Sequence, residues 1–598
     1  MRWLKLNKVG IEKDHNSLKQ KLLIFIGTAF FAIHTLIFII HFRLNFPYGD
    51  DGLVWPVAYE YAKTGQFPFE MFLSSASSHL TYSLKLISLP NLLWNSFDMV
   101  NFYYLQWIIM SLTLFFFFLI IRRTDKKLFW VLIPISASVY CPIFIVGYYV
   151  FSTVMWLSVA LCITIVVYLV TKNKITPIVS IAAISIATYA TFFNLIGVIA
   201  WIPGIISFLR KDSYQNRSYK KWLIPWLISA GVLGSFIILT APSISEQSKL
   251  HLFFSLDGLS FLVTYLATSY RFGSENIFLS QIVGFITLAI CAYLTYYFLK
   301  INKENFQKAF PWILFLVISI LAGMYIAIGR MDVGYHDGNE SFYKTISFFS
   351  QIGILVLISM VLINVRKNTK DKKRYIKIIL IMAVIFSQMI FLIPSYYAGW
   401  EKGEYYFDLK MAYVNCYSLT HGTECLYPPP VISGWMSPAF ERSDLEFFNY
   451  LAENQLGIFG EPNFNKQNKI DISEFNSLLQ NDVKSEVGFG QIEKINGKVI
   501  NDEVINIKEN FINLEGWILD QNKKPVENIF LMINDKPFLK YDDFIPREAI
   551  EKTDGNYSWN IIFLSGYLEN GCHEISVIGQ NEQKIIEQEK GITICKNE

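Results

Sequence analysis

Residues Leu22–Ile40 read LLIFIGTAFFAIHTLIFII, and a few positions later the chain runs Phe46-Pro47-Tyr48-Gly49-Asp50-Asp51-Gly52. A run of about 20 mostly apolar residues is what a helix needs to cross the hydrocarbon core of a bilayer. The two adjacent carboxylates therefore stand just past the end of a first membrane span. Carboxylates near a bilayer are costly and often mark a substrate or ion path. Basic residues precede the span (Arg2, Lys5, Lys8, Lys13, Lys19 and Lys21), so the N-terminus is expected inside and the Asp50-Asp51 pair outside.

The rest of the chain repeats this pattern. Hydrophobic residues make up 53% of the 598 and charged residues 17%, too few charges for a soluble chain of this length. The basic residues cluster in short stretches beside apolar runs: Arg122–Lys127, Lys172–Lys174, Arg210–Lys221, Lys300–Lys308 and Arg366–Arg374. Such loops read as cytoplasmic, and their position beside apolar runs speaks against nucleic acid as a partner. The N-terminus is not expected to be a cleaved signal peptide, because its apolar run is too long and no small-residue cleavage site follows.

Hydropathy predicts about eleven spans, at 22–41, 103–121, 128–146, 152–170, 175–191, 193–209, 222–241, 277–299, 309–329, 346–365 and 376–396. The apolar stretch from Ile175 to Leu209 is expected to break near Phe192-Phe193-Asn194, since both its flanks are basic. An odd count places the C-terminus outside. The expected organisation is a cytoplasmic N-terminus (1–21), a transmembrane domain (22–397) with a long exoplasmic loop (42–101), a mixed exoplasmic region (398–502) and a β-sandwich (503–598). In that last part residues alternate with period two, as in Ile512–Leu519, and turn signals such as Asn534-Asp535-Lys536-Pro537 and Asn570-Gly571 separate the strands.

Cys141, Cys162 and Cys291 fall in apolar runs and read as packing residues, whereas Cys416, Cys425, Cys572 and Cys595 all lie in the tail. An even set in an exported region fits disulfides. Four cysteines allow three pairings, of which proximity favours Cys416–Cys425 and Cys572–Cys595.

The outer loops carry the polar candidates. Asp50 can act as a general base that takes a proton from a hydroxyl as a new bond forms, and Asp51 can orient that hydroxyl or bind a divalent cation. The same Gly-Asp-Asp-Gly run is also good turn chemistry. Glu60, His79, Arg271, Tyr343 and Lys344 are candidate substrate-binding groups, with His79 able to meet a phosphate or sugar hydroxyl. Arg330 closes the ninth span, where its planar fork can hold a phosphate or simply snorkel to headgroups. Trp517 and Trp559 either stack on sugar rings or fill a sandwich core. No glycine-rich phosphate loop, zinc spacing or Ser-His-Asp signature is present.

On these residues the chain resembles the GT-C class of integral-membrane glycosyltransferases. The likeness rests on Asp50-Asp51 in a long first outer loop, Ser78-His79 ahead of an amphipathic segment, Gly329-Arg330 at the end of the ninth span, and Ser341-Phe342-Tyr343 before the tenth. Many bacterial proteins of this kind have Ser-Arg-Tyr there, and this chain carries Phe342 in place of that arginine. The resemblance covers about 20–397, and the tail, with Cys425-Leu426-Tyr427-Pro428 and a terminal β-domain, is similar to the extensions of some such proteins. It implies a polyprenyl-phosphate-linked sugar as donor, attack at the anomeric carbon with inversion, and a glycan, lipid or protein acceptor at the outer face of a bacterial plasma membrane. Competing expectations are a transporter or flippase, which usually shows inverted repeats not found here, and a non-catalytic glycan-binding scaffold.

Overall fold

The computed structural model describes residues 2–45, 54–73, 81–144, 150–172, 174–209, 220–240, 254–268, 277–330, 343–367, 379, 386, 392–420, 438–460, 468–469, 484–500, 504–508, 511–522, 526–541, 545–546, 557–581, 584–587 and 591–596. They form two compact units, divided between Gly403 and Glu404, with Leu44–Gly52 and Ser96–Asp98 grouped with the second.

The first unit is helical. Its elements are α1 (Arg2–Phe42), α2 (Trp55–Thr64), α3 (Phe69–Leu73), α4 (Tyr82–Trp94), α5 (Val100–Thr124), α6 (Leu132–Val139), α7 (Val150–Val170), α8 (Pro177–Phe193), α9 (Ile202–Leu209), α10 (Leu223–Thr240), α11 (Leu256–Ala267), α12 (Ile277–Tyr296), α13 (Phe306–Arg330), α14 (Lys344–Lys367) and the first part of α15 (Leu392–Thr420). Among the described residues six helical stretches are long and apolar enough to cross a membrane: Lys19–Phe42, Val100–Thr124, Thr153–Val170, Ile277–Ile301, Lys303–Ile328 and Lys344–Asn364.

The expectation of about eleven spans is therefore corrected. Three of the missing ones are shorter apolar helices, Pro177–Phe193, Leu195–Leu209 and Leu223–Ile237, and a fourth short apolar helix, Leu256–Ala267, is not among the expected spans. The stretch 128–146 fails for a local reason. The Asp125 carboxylate accepts the Lys127 N–H at 3.0 Å and starts a 3-10 turn over Lys126–Val131, leaving only eight residues for α6 before Tyr140 and Pro142 end it. The span at 376–396 lies largely outside the described residues. With the count goes the parity argument that set the C-terminus outside. The break within 175–209 is where the sequence puts it: α8 stops at Phe193, and the Asn194 side chain accepts the Ile196 N–H at 3.1 Å to start a new turn.

Small residues let the helices of this unit approach closely, as is usual in membrane bundles. A Cβ at Gly284 in α12 would sit 1.6 Å from the Val263 carbonyl oxygen of α11. Helices α13 and α14 run antiparallel, with Ser319 Oγ donating to the Ser347 carbonyl at 3.2 Å and Phe315 stacked on Phe349 at 5.0 Å.

Among the described residues the second unit holds the rest of α15, helix α16 (Pro438–Glu453) and thirteen strands, β1 (Asn468–Lys469), β2 (Lys484–Val487), β3 (Phe489–Ile495), β4 (Lys498–Val499), β5 (Val504–Ile507), β6 (Phe511–Leu519), β7 (Asn528–Ile533), β8 (Lys536–Tyr541), β9 (Ile545–Pro546), β10 (Tyr557–Leu564), β11 (Gly571–Asn581), β12 (Lys584–Glu587) and β13 (Ile592–Lys596). The strands start before the change of period near 503. They form a five-stranded sheet, β4-β3-β6-β10-β9, and an eight-stranded sheet, β1-β8-β7-β11-β12-β2, in which β13 lies between β11 and β5. Both sheets contribute to one apolar core, Ile512, Leu514 and Trp559 from the first, Leu531, Val577 and Ile594 from the second. Turn chemistry sets the hairpins: Asn534 (φ 50°) and Asp535 (φ 60°) join β7 to β8, as the left-handed pair of a tight hairpin must. Cys572 and Cys595 are partners in the β11–β13 ladder and are joined by a disulfide.

Candidate functional site

The structure places the predicted groups unevenly. Asp50, Asp51, His79, Arg271 and Cys425 lie outside the described residues, and of Arg330 and Cys416 only the helical backbone is described. Leu44 and Asn45, just ahead of the carboxylate pair, are described and buried. The Asn45 carbonyl accepts the Ile458 N–H at 3.0 Å, the Ser96 carbonyl accepts the Gly457 N–H at 3.2 Å, and Phe97 packs on Phe447 at 5.6 Å. Residues 44–45 and 96–97 are thus tied down by the segment after α16.

Within that loop, Pro56 near the start of α2 suits a helix N-terminus, and Gly65 in the left-handed region (φ 68°) ends it. Glu60 lies half-buried on α2. Helix α4 turns Leu84, Ser88 and Leu92 inward at helical spacing and leaves Leu86 and Trp94 outside, the pattern of a helix at an interface. Ser83 Oγ donates to the Tyr189 carbonyl at 3.0 Å and ties α4 to α8. The sequence reading overlooked Lys85. It is buried, its ammonium donates to the Met71 (2.8 Å) and Phe72 (3.2 Å) carbonyls at the end of α3, and burial pushes its pKa down to about 8. Only a helical register that puts Lys85 on the Leu89 side would have revealed it.

Tyr343 and Lys344 are fully buried at the start of α14. The Tyr343 ring lies 5.9 Å from Trp156, 6.1 Å from Phe261 and 6.3 Å from Tyr265. Lys344 is within electrostatic reach of Cys141. Around them runs a seam of hydroxyls, with Thr268 Oγ1 and Ser347 Oγ 2.7 Å apart and Ser350 Oγ donating to the Ser347 carbonyl at 2.7 Å. A cation inside a membrane bundle is costly, and a lysine among hydroxyls can hold an anionic group such as a phosphate.

The antiparallel register separates these residues from Arg330. Ser319 opposite Ser347 places Lys344, three residues earlier, opposite Ala322. Arg330 lies eight residues further along α13 (330 − 322), about 12 Å at the helical rise. Arg330 and Lys344 are near neighbours in sequence but stand at different levels of the bundle.

The two tryptophans of the β-domain also separate. Trp559 is 1% exposed and fills the core opposite Gly516, where a Cβ would come within 2.5 Å of its ring. Trp517 is half-buried on the other face, its indole N–H donating to Glu493 Oε1 at 3.1 Å. Among the described residues no cluster of three or more His, Cys, Asp or Glu side chains could hold a metal ion. The carboxylate pair expected to bind a divalent cation is not among them.

No family model, no curated protein and no solved structure matches this chain.

Proposed function

We propose that this protein is a membrane glycosyltransferase that moves a sugar from a polyprenyl-phosphate donor to a glycan, lipid or protein acceptor at the outer face of the membrane. The observation that carries the reading is the Asp50-Asp51 pair directly after the first membrane-length helix, α1. Support comes from the helical body with a C-terminal β region, and from the Cys572–Cys595 disulfide, which suits an oxidising compartment outside the cytoplasm.

In this reading Asp50 takes the acceptor hydroxyl proton as its oxygen attacks the anomeric carbon. The bond from that carbon to the phosphate oxygen breaks, and polyprenyl phosphate leaves with the electron pair. Asp51 orients the acceptor or a divalent cation. Arg330 and Lys344, at their different depths, offer positive charge to the donor phosphate, which stabilises the leaving group. Glu60, His79, Arg271 and Tyr343 complete the substrate contacts.

The test uses purified full-length protein, a polyprenyl-phosphate sugar and acceptor mass shift as readout. Asp50→Asn keeps the shape and removes the basicity, so the rate should fall by about 10²–10⁴-fold with donor binding unchanged. Full activity in both Asp50→Asn and Asp51→Asn sinks the assignment and moves the scaffold reading ahead.

A further inference from the structure

A cavity of about 520 Å³ opens on the outside of the helical unit between α1, α5 and the turn leading into α6. Its size falls within the range of about 300–1,000 Å³ typical of small-molecule sites. The walls are apolar, chiefly Phe25, Leu114, Phe115, Phe118 and Phe129. Two hydroxyls in the lining are already engaged. Thr28 Oγ1 donates to the Ile24 carbonyl at 2.6 Å, and Ser111 Oγ lies 2.8 Å from the Trp107 carbonyl and 2.7 Å from the Tyr140 hydroxyl. The charged group in the lining is Lys21, at one end.

The groove has a direction. Beside its inner end, at Thr28 and Ser111, stands Tyr140, whose hydroxyl meets Ser111, whose carbonyl accepts a hydrogen bond from Thr35 and whose ring stands 6.5 Å from Trp107. From Lys21 to Thr28 is two helical turns, about 11 Å, roughly two-thirds of the depth of one leaflet's hydrocarbon. At the open end, Arg122 follows Phe118 by four residues on α5, and Lys126 precedes Phe129 by three in a 3-10 turn. Both therefore stand over the groove's own face, and both are exposed. The nearby Asp125 carboxylate is engaged by the Lys127 N–H.

We infer that this groove holds one anionic diacyl phospholipid from the cytoplasmic leaflet, with a tail against the phenylalanines and its phosphate at Lys21. An apolar trough of this length accepts the outer part of an acyl chain, and a cationic mouth on the basic side selects an anionic headgroup. The site is independent of the sugar-transfer reading and lies at the N-terminal end of the membrane-length stretch Lys19–Phe42, whereas Asp50 follows its C-terminal end in sequence.

The experiment reconstitutes the full-length protein in nanodiscs with equal phosphatidylglycerol and phosphatidylcholine and counts retained lipid by native mass spectrometry. Wild type should keep one phosphatidylglycerol. Lys21→Glu should cut the phosphatidylglycerol preference roughly thirtyfold, as reversal of one charge at a membrane surface implies, and Lys21→Gln should cut it less. Leu114→Trp, which fills the trough, should lose the bound lipid with unchanged thermal melting. Equal retention of the two lipids by wild type, a preference untouched in both Lys21 variants, or displacement of phosphatidylglycerol by equimolar polyprenyl phosphate would each overturn the assignment.

Discussion

Replacing Asp408 with asparagine should make the C-terminal unit more stable at neutral pH. Asp408 lies on α15, and its Oδ2 accepts the Asn513 side-chain N–H at 3.0 Å, while Tyr405 one turn earlier packs on Phe511 at 5.5 Å. Helix α15 thereby sits on the outer face of β6. Burial, and then the nearby Glu404 and Glu515, push the Asp408 pKa from 3.8 to about 6, and only the Asn513 hydrogen bond works the other way. Glu515 is paired with Lys494 at 2.9 Å, so that lysine is already committed. Between pH 3.8 and 6 the folded form holds a proton that the unfolded form has lost, so stability falls as pH rises through that window and stays reduced above it. A rise of this size corresponds to about 3 kcal/mol against the ionised form, and since Asp408 is only half-buried, solvent screening trims it to about 2 kcal/mol. Asparagine keeps an acceptor for Asn513 and carries no charge. A urea series read by hydroxyl-radical footprinting of Trp559 follows this unit at any pH. The Asp408→Asn midpoint should exceed wild type at pH 7.5 and the two should converge toward pH 4. Identical midpoints at pH 7.5 would refute the reasoning.

Two further perturbations test the packing. Cys572→Ser opens a disulfide whose cysteines are 23 residues apart, which on chain-entropy grounds should cost the β-domain about 3 kcal/mol, read as a lower urea midpoint in the same footprinting assay. Gly284→Ala drives a methyl into the Val263 carbonyl, so α11 and α12 must move apart. The cost should be about 1–3 kcal/mol, seen as a lower melting temperature in detergent with the Trp559 midpoint unchanged.

What the sequence made legible follows from the range of the physics involved. Local signals held: the apolar runs around Leu22–Ile40 and 346–365 are long helices, Asn194 restarts a helix, and Asn534-Asp535 turns a hairpin. The span count failed where a short-range cap competed with hydropathy, since a 19-residue window averages over Asp125 and Pro142 and cannot register that they interrupt the helix. Trp517 and Trp559 look alike in period-two strands. Only the cross-strand register, which sets Trp559 against Gly516, decides which one enters the core. Lys344 was legible as a candidate, but its depth was not. That depends on how far α13 runs past the start of α14, a property of two helices packed together. Lys85 was invisible because its partners are the backbone carbonyls of another helix.

Strand β13 has a consequence for biosynthesis. It pairs with β11 on one side and β5 on the other, so the last of the described strands occupies an interior place in the sheet. Until Ile592–Lys596 has left the ribosome, β5 and β11 each keep an unpaired edge, the kind of surface that recruits other chains. Cys572 likewise waits as a free thiol for Cys595. Oxidation of that pair then fixes β13 to β11, and a chain lacking Ile592–Lys596 would leave β5 and β11 with open edges and Cys572 as an unpaired, oxidisable thiol.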